Sequence, residues 1–267
     1  MKFLHITDPH VVAPGESLYG LDPNARFDAC IADIIANHAD AEFCVITGDL
    51  VHAGLATAYN VFETYIAQLP MPVHLLIGNH DDREQFLAAF PHSPRDEHGF
   101  IQSVYKNDTG VFLFLDTHVS ETSCGGYCER RCEWLRARLN EAASEDVYLC
   151  MHHAPFDTGI PALDNISLLD QERLADVITS QRNIRHLFFG HVHRPIAGSW
   201  RGIPFSTPYA TAHQCALDLV EPTTLQFTHE GPAYGVVLVD ADRVVVHHHA
   251  YQGANVVVTK PPGFPYE

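Results

Sequence analysis

The sequence predicts an α/β fold built on a largely parallel sheet. Three observations point there. Six short runs, KFLHIT, EFCVIT, PVHLLI, VFLFLD, VYLCM and RHLFF, are almost continuously apolar, as strands buried on both faces are. Stretches with apolar residues at helical spacing separate them. Strand, helix, strand repetition implies right-handed crossovers between parallel strands.

The elements follow in order. KFLHIT ends at Asp8 and His10, and Asn24 can cap a helix over ARFDACIADIIANH. EFCVIT runs into Gly48 and Asp49, after which Thr57 can begin the helix AYNVFETYIAQL. PVHLLI ends at Gly78, Asn79, His80 and Asp81, and REQFLAAF follows as a helix. After VFLFLD comes CGGYCERRC, which carries Cys124, Cys128 and Cys132. That spacing is no standard zinc pattern. It reads as a loop that could overhang the site before the helix RRCEWLRARLNEA. VYLCM ends at His152 and His153, DQERLADVITSQ is helical, and RHLFF ends at Gly190, His191 and His193. Beyond Arg201 the character changes. GIPFSTP, YGVVLVD and RVVVHHHAY read as shorter antiparallel strands, and KPPGFPYE as an irregular tail. With no repeat or linker, residues 1–267 are expected to form a single domain. In it, 1–200 carry the motifs and 201–267 complete a second sheet and the tail.

Bulk composition narrows the function. The formal net charge is -17, and no basic stripe is present to neutralise phosphates, so long nucleic acid is excluded as a partner. No apolar run approaches the ~18 residues that would span a bilayer. The opening MKFLHITD lacks a signal peptide's apolar stretch, so a cytoplasmic location is expected. Cys30, Cys44 and Cys150 fall in apolar runs and read as buried thiols. The 19 histidines cluster near strand ends, which hints at bound metal cations.

In an open α/β sheet, ligands bind beyond the carboxyl ends of the strands. Parallel strands would put all five polar clusters on one edge. Asp8, His10, Asp49, Asn79, His152, His191 and His193 offer nitrogen and oxygen donors, which suit Mn, Fe, Zn, Co or Ni. That is more than one tetrahedral ion uses. It fits two divalent ions ~3.5–4 Å apart sharing one carboxylate, with Asp49 the natural bridge. His191 and His193 straddle Val192, so each is expected to reach a different ion. Gly190 would permit the turn, as Gly48 and Gly78 would before Asp49 and Asn79. Two divalent ions against Asp8, Asp49 and a bridging hydroxide leave about +1, a local attraction for a phosphate in an acidic chain. Such ions bring the pKa of a bound water toward ~7 and polarise a phosphoryl oxygen. The chemistry implied is hydrolysis of a small phosphodiester by a metal-bound hydroxide, with phosphomonoester hydrolysis as the alternative.

The ordered set D-x-H, G-D, G-N-H-D, H-H and G-H-x-H, each after an apolar run, resembles the calcineurin-like metallophosphoesterase superfamily. The match runs from Asp8 to His193. The resemblance implies a four-layer α/β/β/α sandwich with a dinuclear metal centre. It implies Asp8, His10, Asp49 and His193 on one ion, and Asp49, Asn79, His152 and His191 on the other. His153 is the alternative to His152. His80 would stay unligated and act on the phosphate or the leaving group. Purple acid phosphatases carry a tyrosine ligand three residues after the bridging aspartate. Here that position is His52, so a purple iron centre is not expected. ITDPH, SLYGLDPNARF, GNHDDREQFL, MHHAP and the AHQ that contains His213 are similar to bacterial class III cyclic-nucleotide phosphodiesterases and glycerophosphodiesterases. That branch implies that Tyr19 and His213 face the substrate and that the protein is a homo-oligomer. A non-catalytic scaffold on the same fold is the rival class. The presence of every expected ligand type argues against it.

Overall fold

The computed structural model describes residues 1–253. The first half alternates β1 (Lys2–Ile6), α1 (Pro23–Asn37), β2 (Cys44–Thr47), α2 (Ala56–Ile66), β3 (Val73–Leu76) and α3 (Arg83–Ala89). The second continues with β4 (Ser103–Asn107), β5 (Gly110–Phe114), α4 (Glu129–Glu141), β6 (Val147–Cys150), α5 (Pro161–Asp164), α6 (Gln171–Thr179) and β7 (Ile184–Phe188). Then come β8 (Ile196–Trp200), β9 (Ile203–Thr207), the short pair β10 (Gln214–Cys215) and β11 (Phe227–Thr228), and finally β12 (Ala233–Val239) and β13 (Val244–Ala250).

Two large sheets result, ordered β13-β12-β1-β2-β3 and β4-β5-β6-β7-β9-β8, beside the two-stranded β10-β11. Side chains alternate across each strand, so a continuously apolar strand feeds two cores at once. Phe3, Val45 and Leu76 of the first sheet meet Phe112, Phe114, Tyr148 and Phe188 of the second in one inter-sheet layer. Phe3 stacks on Phe43 at 4.7 Å and meets Phe112 and Phe188 edge-on. On the outer face of the first sheet, Leu4, Cys44 and Ile46 pack against Phe27 and Ile31 of α1, Phe62 of α2 and Phe86 of α3. Outside the second, Val111, Leu113, Leu149 and Leu187 pack against Leu135, Leu163, Leu174 and Ile178 of α4, α5 and α6. Helices outside two face-to-face sheets make the four-layer α/β/β/α sandwich. No helix among the described residues is long and apolar enough to cross a membrane.

Several expectations need correction. The five polar clusters do not share one sheet edge. β1, β2 and β3 run parallel in the first sheet, whereas β5, β6, β7 and β9 run parallel in the second. The clusters therefore meet across the top of the sandwich. The segment after Arg201 divides: β9 joins the second sheet beside β7, whereas β12 and β13 extend the first. β4 and β8, which are half exposed and less apolar, were not marked by the sequence pattern. Asp22 caps α1, accepting from the Ala25 N–H at 3.0 Å, because Pro23 takes the first helical position. Asn24 instead pairs with both backbone groups of Val12 at 2.9 Å. α2 starts at Ala56, after Leu55, without a side-chain cap. All seven cysteines are free thiols. Cys128 precedes α4 as its N-cap residue, and Cys132 is buried in the helix. The segment KPPGFPYE lies outside the described residues.

Candidate metal centre

The parallel ladder between β1 and β2 continues past both strands. Asp8 N donates to Gly48 O (3.3 Å), His10 N to Asp49 O (2.9 Å) and Val11 N to Leu50 O (3.1 Å). Side chains from the two strand ends are thereby laid side by side. Asp8, His10, Asp49 and His193 are all buried, and one donor atom from each lies within 4.8 Å of the others. His10 Nε2 is 2.9 Å from His193 Nε2 and 3.5 Å from Asp49 Oδ2. His193 Nε2 is 3.4 Å from Asp8 Oδ1. On the other side, Asp49 Oδ1 is 3.5 Å from His152 Nε2, which lies 3.2 Å from Asn79 Oδ1. His191 gathers with His152 and His153 in a second buried cluster. Thus His191 and His193 diverge, one toward each group.

The turn that separates them is made by the residues themselves. Asp8, His10, Asp49, His191 and His193 all have φ between 45 and 69°. That left-handed region costs non-glycine residues ~1–3 kcal/mol each and persists only where surroundings enforce it. Of the three glycines expected to permit turns, only Gly48 has positive φ. Gly190 and Gly78 serve close approach instead. A Cβ at Gly190 would fall 2.0 Å from Thr7 Oγ1, and one at Gly78 would fall 2.2 Å from Asp49 Oδ1.

Hydrogen bonds orient the imidazoles. His152 Nδ1 donates to Thr47 O (2.7 Å) and His193 Nδ1 to His213 O (2.8 Å), so both turn Nε2 inward. His191 Nε2 is occupied by Ile166 O at 3.0 Å, which leaves Nδ1 as its donor atom. Both ring nitrogens of His153 are engaged, by Thr117 Oγ1 (2.8 Å) and Ser123 O (3.2 Å). Buried carboxylates among imidazoles with inward lone pairs are a donor set suited to divalent ions.

Electrostatics shows what balances the site without a cation. Burial pushes Asp49 up, but His152, His80 and His10 outweigh it and hold its carboxyl well below the usual range. Burial pulls His152 down, yet Asp49 and Asp8 carry it up to about 9. His193 is likewise raised, by Asp8 against burial. Burial keeps His10 far below its ordinary value and His191 down at about 3. Without a cation, Asp49 thus favours the charged form of His152, and Asp8 pushes His193 in the same direction.

A cavity of about 190 Å³ opens onto the cluster. His10, Asp49, Asn79, His80, His191, His193 and His213 line it, together with Tyr19, Leu163, Leu225 and Phe227. His80 donates its backbone N–H to Asp49 Oδ1 (2.8 Å) and ring Nδ1–H to His52 O (2.7 Å). The His213 ring lies 4.4 Å from that of His193, with a buried Nδ1 that has no hydrogen-bond partner among the described residues. Tyr19, itself in a left-handed conformation, stacks on Phe227 at 4.4 Å and meets His213 edge-on. A larger cleft of about 480 Å³, bordered by Ile66, His74 and Phe90, shares no residue with this one. It borders no clustered metal donors among the described residues.

Asp81 was visible in GNHDD but had no evident role. Its buried carboxylate accepts from the N–H groups of Leu50, Val51 and Gly78 and from Tyr59 O–H, at 2.8–3.2 Å. It ties the Asp49 loop to the Asn79 loop. Burial and Asp49 push its pKa up to about 7. His52 was noted only as a departure from a tyrosine. It lies against His10, Nδ1 to Nδ1 at 3.3 Å.

Residues 1–195 match the family described as calcineurin-like phosphoesterase. A probable cyclic nucleotide phosphodiesterase of Rhodopseudomonas palustris is 42% identical over 94% of this chain and 93% of that protein. A probable glycerophosphodiester phosphodiesterase of Arcobacter nitrofigilis is 28% identical, spanning 95% of this chain and 94% of its own. Among solved structures, a dimetal phosphatase from Danio rerio shares the fold. Its TM-score is 0.72 at 14% identity, covering 94% of this chain and 96% of that one.

Proposed function

The chain belongs to the calcineurin-like phosphoesterase family, and from that premise we propose that it hydrolyses small phosphodiesters at a centre of two divalent ions. The substrates are of the cyclic-nucleotide or glycerophosphodiester type. Asp8, His10, Asp49 and His193 hold one ion, and Asp49, Asn79, His152 and His191 hold the other. The observation that carries this reading is the Asp49 carboxylate. Its Oδ2 faces His10 Nε2 and its Oδ1 faces His152 Nε2, each at 3.5 Å. One buried side chain thus stands between two donor groups. His152 is favoured over His153 because both nitrogens of His153 are engaged elsewhere.

When bound, the ions supply Lewis acidity to a phosphoryl oxygen and acidity to a water. The rest of the task falls to side chains. His80, tied through Nδ1 to His52 O, keeps Nε2 for the substrate, and when protonated there it would give that proton to the leaving alkoxide. Tyr19 and His213 bound the substrate in the cavity. Nitrogen and oxygen donors admit Mn, Fe, Zn or Co. Exposed Leu217, Leu219 and Val220 support a homo-oligomer, and seven free thiols support a reducing, cytoplasmic compartment.

The test is a substrate panel with defined metal loading: 3′,5′-cyclic AMP, a glycerophosphodiester, bis(p-nitrophenyl) phosphate and the matching monoester. Diester turnover should exceed monoester turnover and vanish with chelator. Preference for the monoester would make the protein a phosphomonoesterase. Substoichiometric metal with no turnover would make it a scaffold.

A further inference from the structure

We propose that the turn Asp116–Thr117–His118, which supplies no candidate ligand, sets the position of the ion assigned to Asn79, His152 and His191, with His118 as the positioning residue. The proposal rests on the two-ion reading above. The turn follows β5, whose apolar run VFLFLD ends in polar residues that the metal centre leaves without a task.

Asp116 and His118 are both buried. A buried charge needs a partner and hydrogen bonds, and Asp116 has them. Arg83, the first residue of α3, grips its two oxygens with Nη1 and Nη2. The N–H groups of Ile101 and His118 donate to the same carboxylate at 2.7 and 2.9 Å. Arg131, also buried, donates Nη2–H to His118 O at 2.8 Å. Both backbone groups of His118 are thereby held.

Its ring reaches across to the other sheet. His118 Nε2–H donates to Asp81 O at 3.1 Å. A carbonyl only accepts, so the proton of the neutral ring sits on Nε2, and Nδ1 takes the Arg83 Nη2–H at 3.3 Å. Burial and Arg83 both lower the pKa of this ring, which favours the neutral form. Asp81 lies two residues past Asn79, and its carboxylate ties that loop to the N–H groups of Leu50 and Val51. The loop is therefore anchored from the first sheet through the Asp81 side chain and from the second through the Asp81 carbonyl. Thr117 serves the neighbouring loop. Its Oγ1 accepts the His153 backbone N–H at 3.3 Å and lies 2.8 Å from His153 Nδ1. Asn79 and His152 follow strands of different sheets, yet His152 Nε2 stands 3.2 Å from Asn79 Oδ1. Three consecutive residues hold both loops and so fix that spacing. Asp8, His10 and Asp49 are instead laid side by side by the β1–β2 ladder, and His193 is turned by His213 O. The other ion does not depend on the turn.

Manganese titrations of the metal-free protein, followed by calorimetry, test this. The wild type should take up two equivalents. His118→Leu keeps the bulk and loses the donor. It should weaken one equivalent by about tenfold, the same one that Asn79→Ala weakens, and leave the other within about twofold. His118→Gln puts an amide N–H near the Nε2 position and should recover most of the loss. Thr117→Val leaves the Asp116–Arg83 pair whole and should weaken that same equivalent. Diester turnover in these variants should fall at limiting manganese and return at saturating manganese, which a general loosening of the fold would not allow. Two wild-type affinities in His118→Leu, or in Thr117→Val should the leucine variant not fold, would overturn the proposal. So would equal weakening of both equivalents, or a glutamine variant as weak as leucine. A wild type that takes up a single equivalent is a separate failure, because it sinks the two-ion reading before any variant is compared.

Discussion

Between the sheets, Phe3, Phe43, Phe112 and Phe188 fill a dry layer ring against ring. A few residues further along the same parallel strands, the chain buries Asp8, His10, Asp49, His152, His191 and His193 instead. Five of these six sit in left-handed backbone, and the carboxylates face imidazoles whose pKa they raise against burial. Both regions are equally removed from water. One gains free energy from burial; the other costs free energy and is held in place by what lies below it. Preorganised polar sites on rigid elements have this character, and their ligands can be changed with less harm to the fold than the aromatics beneath.

The sharpest test of that contrast is a pair of substitutions. Asp49→Asn keeps the shape of the side chain proposed as the bridge but removes its charge. It should cut turnover by about 10³-fold or more and strip metal from both positions. The unfolding midpoint of the metal-free protein should move little. Retention of two metals per chain would end the bridging assignment. Phe3→Ala should do the opposite. Loss of this fully buried ring should destabilise the protein by about 3–5 kcal/mol in urea titrations, while metal stoichiometry in the folded fraction holds. If Phe3→Ala instead released metal from protein that is still folded, the two regions would not be separable.

A smaller effect concerns pH. In the metal-free protein His152 is raised to about 9, so below that value its Nε2 carries a proton that a cation must displace. Metal affinity should therefore increase as pH climbs toward about 9, by roughly tenfold per unit for each proton released. Calorimetry at pH 7 in buffers of different ionisation enthalpy should register proton release on metal binding. Uptake without release would show that His152 and His193 are neutral before metal arrives.

The candidate ligands were legible because each follows an apolar run, and Asp, His and Asn in that place have little packing reason to be there. The partition into two sheets was not legible. β1 and β6 are both apolar on both faces, and nothing in such a run states which strand it will pair with. The cap of α1 was misplaced by two residues because Pro23 decides the start more firmly than Asn24 does. Gly190 looked like a hinge, since a glycine before two histidines suggests a turn. Only coordinates reveal Thr7 pressed against it. His52 carried no signal beyond its distance from Asp49, because its contact with His10 exists only once β1 and β2 are paired.

β1 also pairs with β12 from Lys2 to His5, so that Lys2 lies opposite Leu238 and Phe3 opposite Val237. During synthesis, that edge stays open until a strand about 230 residues further along the chain has been made. Nascent chains that stop short of residue 233 leave β1 with a row of open backbone groups, ready to capture another unfinished copy.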